Sequence, residues 1–168
     1  MDITVFKQLA RYHVWATARL NDTLKHVSID HFTQAQGLFF QSILGTLNHL
    51  YVGESLWFAR FNQLAPPQWR LNQIVLHNKI DLMHGLQEKA QQWEHFIDRV
   101  SVSLLQSDLN YRSSMGHHYC LPYGSTLLHV FNHATHHRGQ VTAALTQLGY
   151  SCPEIDLVYM LVEEKSKA

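Results

Sequence analysis

The segment L127-L-H-V-F-N-H-A-T-H-H-R-G-Q-V-T-A-A-L-T-Q-L-G149 carries four histidines, His129, His133, His136 and His137. It reads as part of a helix that begins near Ser125 and ends at Leu148, with Gly149 as its stop. Four residues of α-helix advance about 400°, so positions i and i+4 share a face and lie about 6 Å apart along the axis. His133 and His137 are such a pair, and His129 with His133 is a geometrically equal one. Either can offer two imidazoles to one metal ion, as the helical HExxH zinc motif does. His136 points about 100° away from His137 and cannot share its face.

The chain has 168 residues, 46% of them hydrophobic, a length that suits one domain, 1–168, around one core. Lys+Arg and Asp+Glu are 13 each. This zero balance argues against a phosphate-neutralising nucleic-acid binder, and no dense basic run suggests an anionic membrane. No apolar run approaches the roughly 20 residues of a membrane span. The start, MDITVFKQLARYH, lacks the pattern of a secretory signal. Cys120 and Cys152 build no disulfide framework and are read as packing residues, so a cytoplasmic protein is expected.

Outward from the histidine segment, three further helices are expected. The first spans residues 2–27, with Asp2 as N-cap and Val5, Leu9, Tyr12, Trp15, Ala16, Leu20 and Leu24 on one face. The second spans 42–61, starting at Ser42 or Gln41. Gly45 and Gly53 weaken it, and such small residues let a neighbouring helix or an ion come close. The third runs from Lys79 to Ser101 with a stripe of Leu82, Leu86, Ala90, Trp93, Ile97 and Val100. Residues Tyr111 to Tyr123 suggest a β-hairpin turning near Met115 and Gly116. One or two helical turns are expected over Ile155 to Val162. The fold class is therefore all-α: a four-helix bundle with a hairpin-like insertion before helix 4 and a short C-terminal helix.

Two ligands hold a metal weakly, and His49 is the best third candidate. It lies mid-helix among apolar neighbours, in L44-G-T-L-N-H-L-Y-V-G53, where an imidazole needs a partner. The remaining histidines, His13, His26, His31, His77, His84, His95, His117 and His118, have no comparable spacing and are read as surface or general core residues. Glu54 and Asp156 are conceivable acid–base groups, but nothing ties them to the histidines, and both are read as solvated carboxylates. Ala134 stands where HExxH places its glutamate, and no nucleophile-elbow, Walker or dinucleotide motif is present.

SILGTLNHLYVGESLWFARF together with LLHVFNHATHHRGQVTAALTQLG, and YHVWATARL in the first helix, resembles the DinB/YfiT-like metal-binding family. Its most specific part is N-H-x-x-H-H-R-G-Q, and the likeness spans essentially the whole chain. His13 and Thr17 depart from the family's pattern, where asparagine is common. The resemblance implies a four-helix bundle, often homodimeric, with a divalent ion, zinc or nickel, on His49, His133 and His137. It thereby favours His133–His137 over His129–His133. It further implies a metal-dependent enzyme acting on a small molecule, either a transferase using a low-molecular-weight thiol or a hydrolase. A non-catalytic metal-binding or stress-response protein is the alternative. Gln140 is expected to support the ligating imidazoles, His129 to support them or to pack, Arg138 to reach a partner helix or carboxylate, and His136 to face solvent or a dimer contact.

Overall fold

A computed structural model describes residues 2–113 and 115–167; Ser114, inside the expected hairpin, lies outside the described residues. The elements are α1 (Ile3–Leu24), α2 (Ile29–Thr33), α3 (Ile43–Phe61), α4 (Lys79–Ile97), α5 (Val102–Leu105), β1 (Asp108–Arg112), β2 (His118–Pro122), α6 (Tyr123–Gln147) and α7 (Leu157–Lys167). The long helices α1, α3, α4 and α6 form a four-helix bundle. No helix is long and apolar enough to cross a membrane among the described residues.

Side chains set the helix ends. Asp2 accepts from Thr4 N at 2.9 Å, Ser42 Oγ from Gly45 N at 3.0 Å, and Asn78 Oδ1 from Ile80 N at 2.8 Å. Each satisfies a backbone donor that the first helical turn leaves free. Gly149, at φ +81°, closes α6, where Tyr150 N reaches Leu145 O and Gly149 N reaches Thr146 O, both at 3.0 Å. This paired pattern needs a left-handed residue, which glycine adopts without strain. The C-terminal end of α1 is covered by a lysine from another helix: Lys79 Nζ donates to Leu24 O, Lys25 O and Val27 O.

Several boundaries differ from expectation for local reasons. The third helix stops at Ile97, because Ser101 accepts from Leu104 N at 3.1 Å and starts the separate turn α5. Val100 is still buried, as its place in the stripe implies. Ser28 caps α2 in a stretch read as a break. The hairpin strands begin at Asp108, pairing Asp108 with Pro122 and Arg112 with His118, and Tyr123 already belongs to α6. On α1 the buried stripe includes Phe6, while Val5 is exposed. The C-terminal helix is longer than one or two turns because Glu163 and Glu164 tie it to α1: Trp15 Nε1 donates to Glu163 at 3.0 Å, and Arg19 and Arg11 bond the two carboxylates.

Around the bundle the order is α1–α4–α3–α6, with α1 packing on α4 and α6, and α3 packing on α4 and α6. The successive helices α1 and α3 therefore sit diagonally, as do α4 and α6, and their connections cross the bundle ends. Two large apolar clusters form most of the core, and a third, of Tyr12, Ala16 and Met160, seats α7 on α1. Of the two large ones, one gathers Leu24, Leu47, Leu82 and Leu145; the other gathers Phe61, Trp93, Leu127 and Phe131. Between them lies a buried polar layer. Glu54 Oε1 of α3 stands 3.1 Å from His13 Nε2 of α1, and Arg138 of α6 donates to His13 Nδ1 at 2.8 Å and to Thr135 Oγ1 at 3.1 Å. All three side chains are nearly inaccessible to solvent.

Candidate metal centre

His49, His133 and His137 come together where α3 packs on α6, and one donor atom from each lies within 4.8 Å of the others. The Nε2 atoms converge: His133 Nε2 is 3.1 Å from His49 Nε2 and 3.1 Å from His137 Nε2. Three nitrogens held tetrahedrally by an ion at about 2.0–2.1 Å would lie about 3.3 Å apart, and the two contacts made by His133 fit that spacing.

The outer nitrogens of two rings are engaged by acceptors. His49 Nδ1 donates to Leu71 O at 2.8 Å, and His137 Nδ1 donates to Gln140 Oε1 at 2.7 Å. A neutral imidazole carries one proton, so Nε2 of both rings presents a bare lone pair to the centre. His133 Nε2 can donate to only one of them. Without a cation, at least one contact in this half-buried cluster sets lone pair against lone pair. Converging imidazoles with their second nitrogens held, as two of these three are, are typical of a metal-ready donor set. No carboxylate or thiolate joins the group among the described residues.

The polypeptide prepares each ring by a separate device. Asn48, fully buried beside His49, accepts from Val75 N and Leu76 N at 2.8 and 2.9 Å and donates to Leu76 O at 2.9 Å. It clamps the α3–α4 connection onto α3, and that connection delivers Leu71 O to His49. Phe40 stacks on the His49 ring, with centroids 3.8 Å apart. Its carbonyl sits so close to the first turn of α3 that a Cβ on residue 45 would lie 1.9 Å from it, which is why Gly45 stands there. Gly53 gives room to His133, whose Cε1 would be 3.2 Å from a Cβ at that position. At Gly53 the close approach comes from a neighbouring helix, as expected, whereas at Gly45 it comes from the Phe40 main chain of the preceding connection rather than from a helix or an ion.

Gln140 plays the supporting part expected of it and extends it, since its Nε2 lies 3.2 Å from Nε2 of the exposed His136. His129 takes the packing role instead. It is exposed and makes no hydrogen bond to His133 among the described residues; its ring packs edge-on to Trp57, centroids 5.4 Å apart. Glu54, read as a solvated carboxylate, is instead buried beside His13 and Arg138. Asp156 is exposed as expected. Asn48, Phe40 and the Leu71 carbonyl carried no sequence signal that singled them out.

Burial, reinforced by neighbouring imidazoles, lowers His133 to about 3 and His137 to about 4, and burial lowers His49 as well. Their lone pairs therefore stay free well below the usual imidazole range. The consequence for the metal-free protein follows from linkage. An unfolded histidine takes its proton near pH 6.5, whereas folded His133 and His137 resist it until about pH 3 and 4, and His49 is lowered in the same direction. The stability they contribute is present in full above about pH 6.5 and is lost as pH falls toward about 4. Urea melts of metal-free protein should show a falling midpoint between pH 6.5 and 4.5, and the His133→Gln/His137→Gln double variant a flatter profile. An equal slope in both proteins would contradict this.

A model of the DinB family matches residues 1–166. Protein DinB of Bacillus subtilis (strain 168) is 26% identical over 168 residues, covering 96% of each chain. Two solved structures share the fold. A conserved protein from Enterococcus faecalis superposes with a TM-score of 0.67 at 14% identity, over 86% of this chain and 95% of the other. YfiT from Bacillus subtilis superposes with a TM-score of 0.65 at 14% identity, over 85% of this chain and 87% of its own. It is described as a probable metal-dependent hydrolase with an unusual four-helix bundle topology. With a match over nearly every residue, the chain belongs to the DinB family.

Proposed function

We propose that His49, His133 and His137 hold one divalent metal ion and that the protein is a metal-dependent hydrolase of a small molecule. The observation that carries this reading is the convergence of three imidazole nitrogens, two of them fixed as bare lone pairs by Leu71 O and Gln140 Oε1. The likeness to YfiT supports the reaction class. All three ligands are neutral, so an ion's full positive charge stays available to substrate. When bound, such an ion supplies Lewis-acid polarisation and acidifies water. The chain's own contribution is orientation and shielding. Leu71 and Gln140 lock two rings in one tautomer each, and Phe40 covers the face of His49. Zinc and nickel both suit imidazole donors.

Thiol-dependent transfer is the second reading. The same neutral donor set favours it, because an uncompensated divalent charge also attracts a thiolate. The test uses untagged protein. Metal analysis is expected to find about one divalent ion per chain, the number one three-histidine site takes. The metallated protein is then screened with esters, amides and thioesters, and separately with electrophiles plus a thiol. Hydrolysis that chelation abolishes and metal restores supports the proposal. Metal below about half an equivalent, or turnover that ignores chelation, removes it.

A further inference from the structure

Beside the histidine cluster lies a second feature that the proposed function does not use. A cavity of about 720 Å³ opens between α3, the α3–α4 connection and the hairpin, lined by Leu56, Arg60, Trp69, Arg70, Leu71 and Arg112 among others. Its volume falls in the range of small-molecule sites. Three of its lining residues are arginines and none is a carboxylate. The chain as a whole is neutral, so this is a local concentration of charge. Among the described residues, no ion pair involves Arg60, Arg70 or Arg112.

Arg60 is the most constrained of the three. Its guanidinium lies 4.5 Å from the centroid of Trp57 and 4.9 Å from that of Tyr111. Stacking accounts for its position, but it uses only the faces of the guanidinium. The terminal in-plane N–H donors make no hydrogen bond among the described residues, and Nε, shut off from solvent, makes none either. The terminal donors are the ones an anion in the cavity could meet, and an oxyanion is the acceptor that a planar guanidinium matches best.

None of the three histidines lines the cavity, but two features relate it to the candidate metal centre. His49, Leu56 and Arg60 stand at i, i+7 and i+11 on α3, within about 20° of one face. Helical side chains lean toward the N-terminus, and the Arg60 head over Trp57 lies roughly 12 Å along the axis from His49. Leu71 lines the cavity, while its carbonyl holds His49.

We propose that this cleft binds the oxyanion end, carboxylate or phosphate, of the small molecule whose other end meets the three histidines. The second half of that statement rests on the function proposed above; the anion site itself does not. Arg60 supplies the stacked, pre-oriented fork. Arg70 and Arg112 close on the anion from the connection and from the hairpin.

The test is calorimetric titration of the metal-loaded full chain at low salt with two probes, inorganic phosphate and glutarate. At least one is expected to bind, and the tighter probe assigns the oxyanion. Arg60→Gln and Arg112→Gln should each weaken it about tenfold or more, the scale of a lost charge-assisted hydrogen bond. Arg60→Lys should recover only part of the loss, since it keeps the charge without the fork. Arg19→Gln, which removes an arginine paired with Glu163 on α1, should leave affinity unchanged. Arg70 and Arg112 are exposed, so Arg70→Gln and Arg112→Gln carry the test if the Arg60 variants fail to fold. Binding of neither probe, or equal weakening by Arg19→Gln, overturns the proposal. Arginine-dependent binding to a protein that holds no metal would sustain the anion site and remove the metal reading instead.

Discussion

His133→Ala is expected to lose metal affinity by more than the roughly 100-fold that removal of a hydrogen-bonding support to a ligand can bring. His133 is the pivot of the proposed site, because both 3.1 Å contacts between the candidate ligand nitrogens are made to it. Without it, His49 and His137 remain on different helices, and two ligands bind weakly. Gln140→Ala should fall in the 10–100-fold range, since it removes only the acceptor that orients His137. His136→Ala should be nearly silent, because that ring is exposed and touches the cluster only through Gln140. The metal-free His133→Ala protein should be no less stable than metal-free wild type, because the substitution removes the opposed lone pairs. The comparison is a chelator-competition titration together with thermal melting. Added metal should raise the wild-type melting temperature and leave that of His133→Ala in place. An equal metal-induced rise in both proteins would remove His133 from the ligand set.

The sequence reaches this site unevenly, and the reasons are physical. The i, i+4 spacing limits the helix 4 ligands to two pairs because helical geometry is local. Family resemblance, rather than spacing, separated His133–His137 from His129–His133. What orients the rings is harder to read. The acceptor for His49 is a main-chain carbonyl at Leu71, and every residue has one. Asn48 looks like an ordinary polar residue until the connection it clamps is known to fold back on α3. The diagonal order of the helices depends on two long crossings, and amphipathic stripes do not encode which neighbour each helix meets. Glu54 is a different case, for which a signal existed. Helix α3 is buried on nearly all sides, from Ile43 to Phe61, and so has no broad polar face to offer a carboxylate. A glutamate between Gly53 and Ser55 on such a helix must find its partners inside. The histidine at 13, where asparagine is common in the family, is one of them.

That buried layer makes Arg138 the residue whose loss should cost the most stability. Arg138→Met keeps the length of the side chain and removes its charge. Glu54 then loses its fully buried cationic neighbour, and His13 Nδ1 loses the one donor it has among the described residues. Breaking a buried ionic group on one side typically destabilises by about 3–5 kcal/mol, because the other charge stays buried without its partner. Lys89, close enough for Glu54 to favour its charged form, offsets part of this and places the expectation near about 3 kcal/mol. The Glu54→Gln/Arg138→Met double variant should be less destabilised than the sum of its single variants, since the orphaned charge is then gone. Urea denaturation of metal-free protein measures all four forms of the cycle. Additive losses would show that Glu54 and Arg138 do not act as one network. The metal readout separates this layer from the site. Arg138 directly follows His137 in α6 but faces α1, so Arg138→Met should lower the unfolding midpoint far more than it changes metal affinity while the protein remains folded.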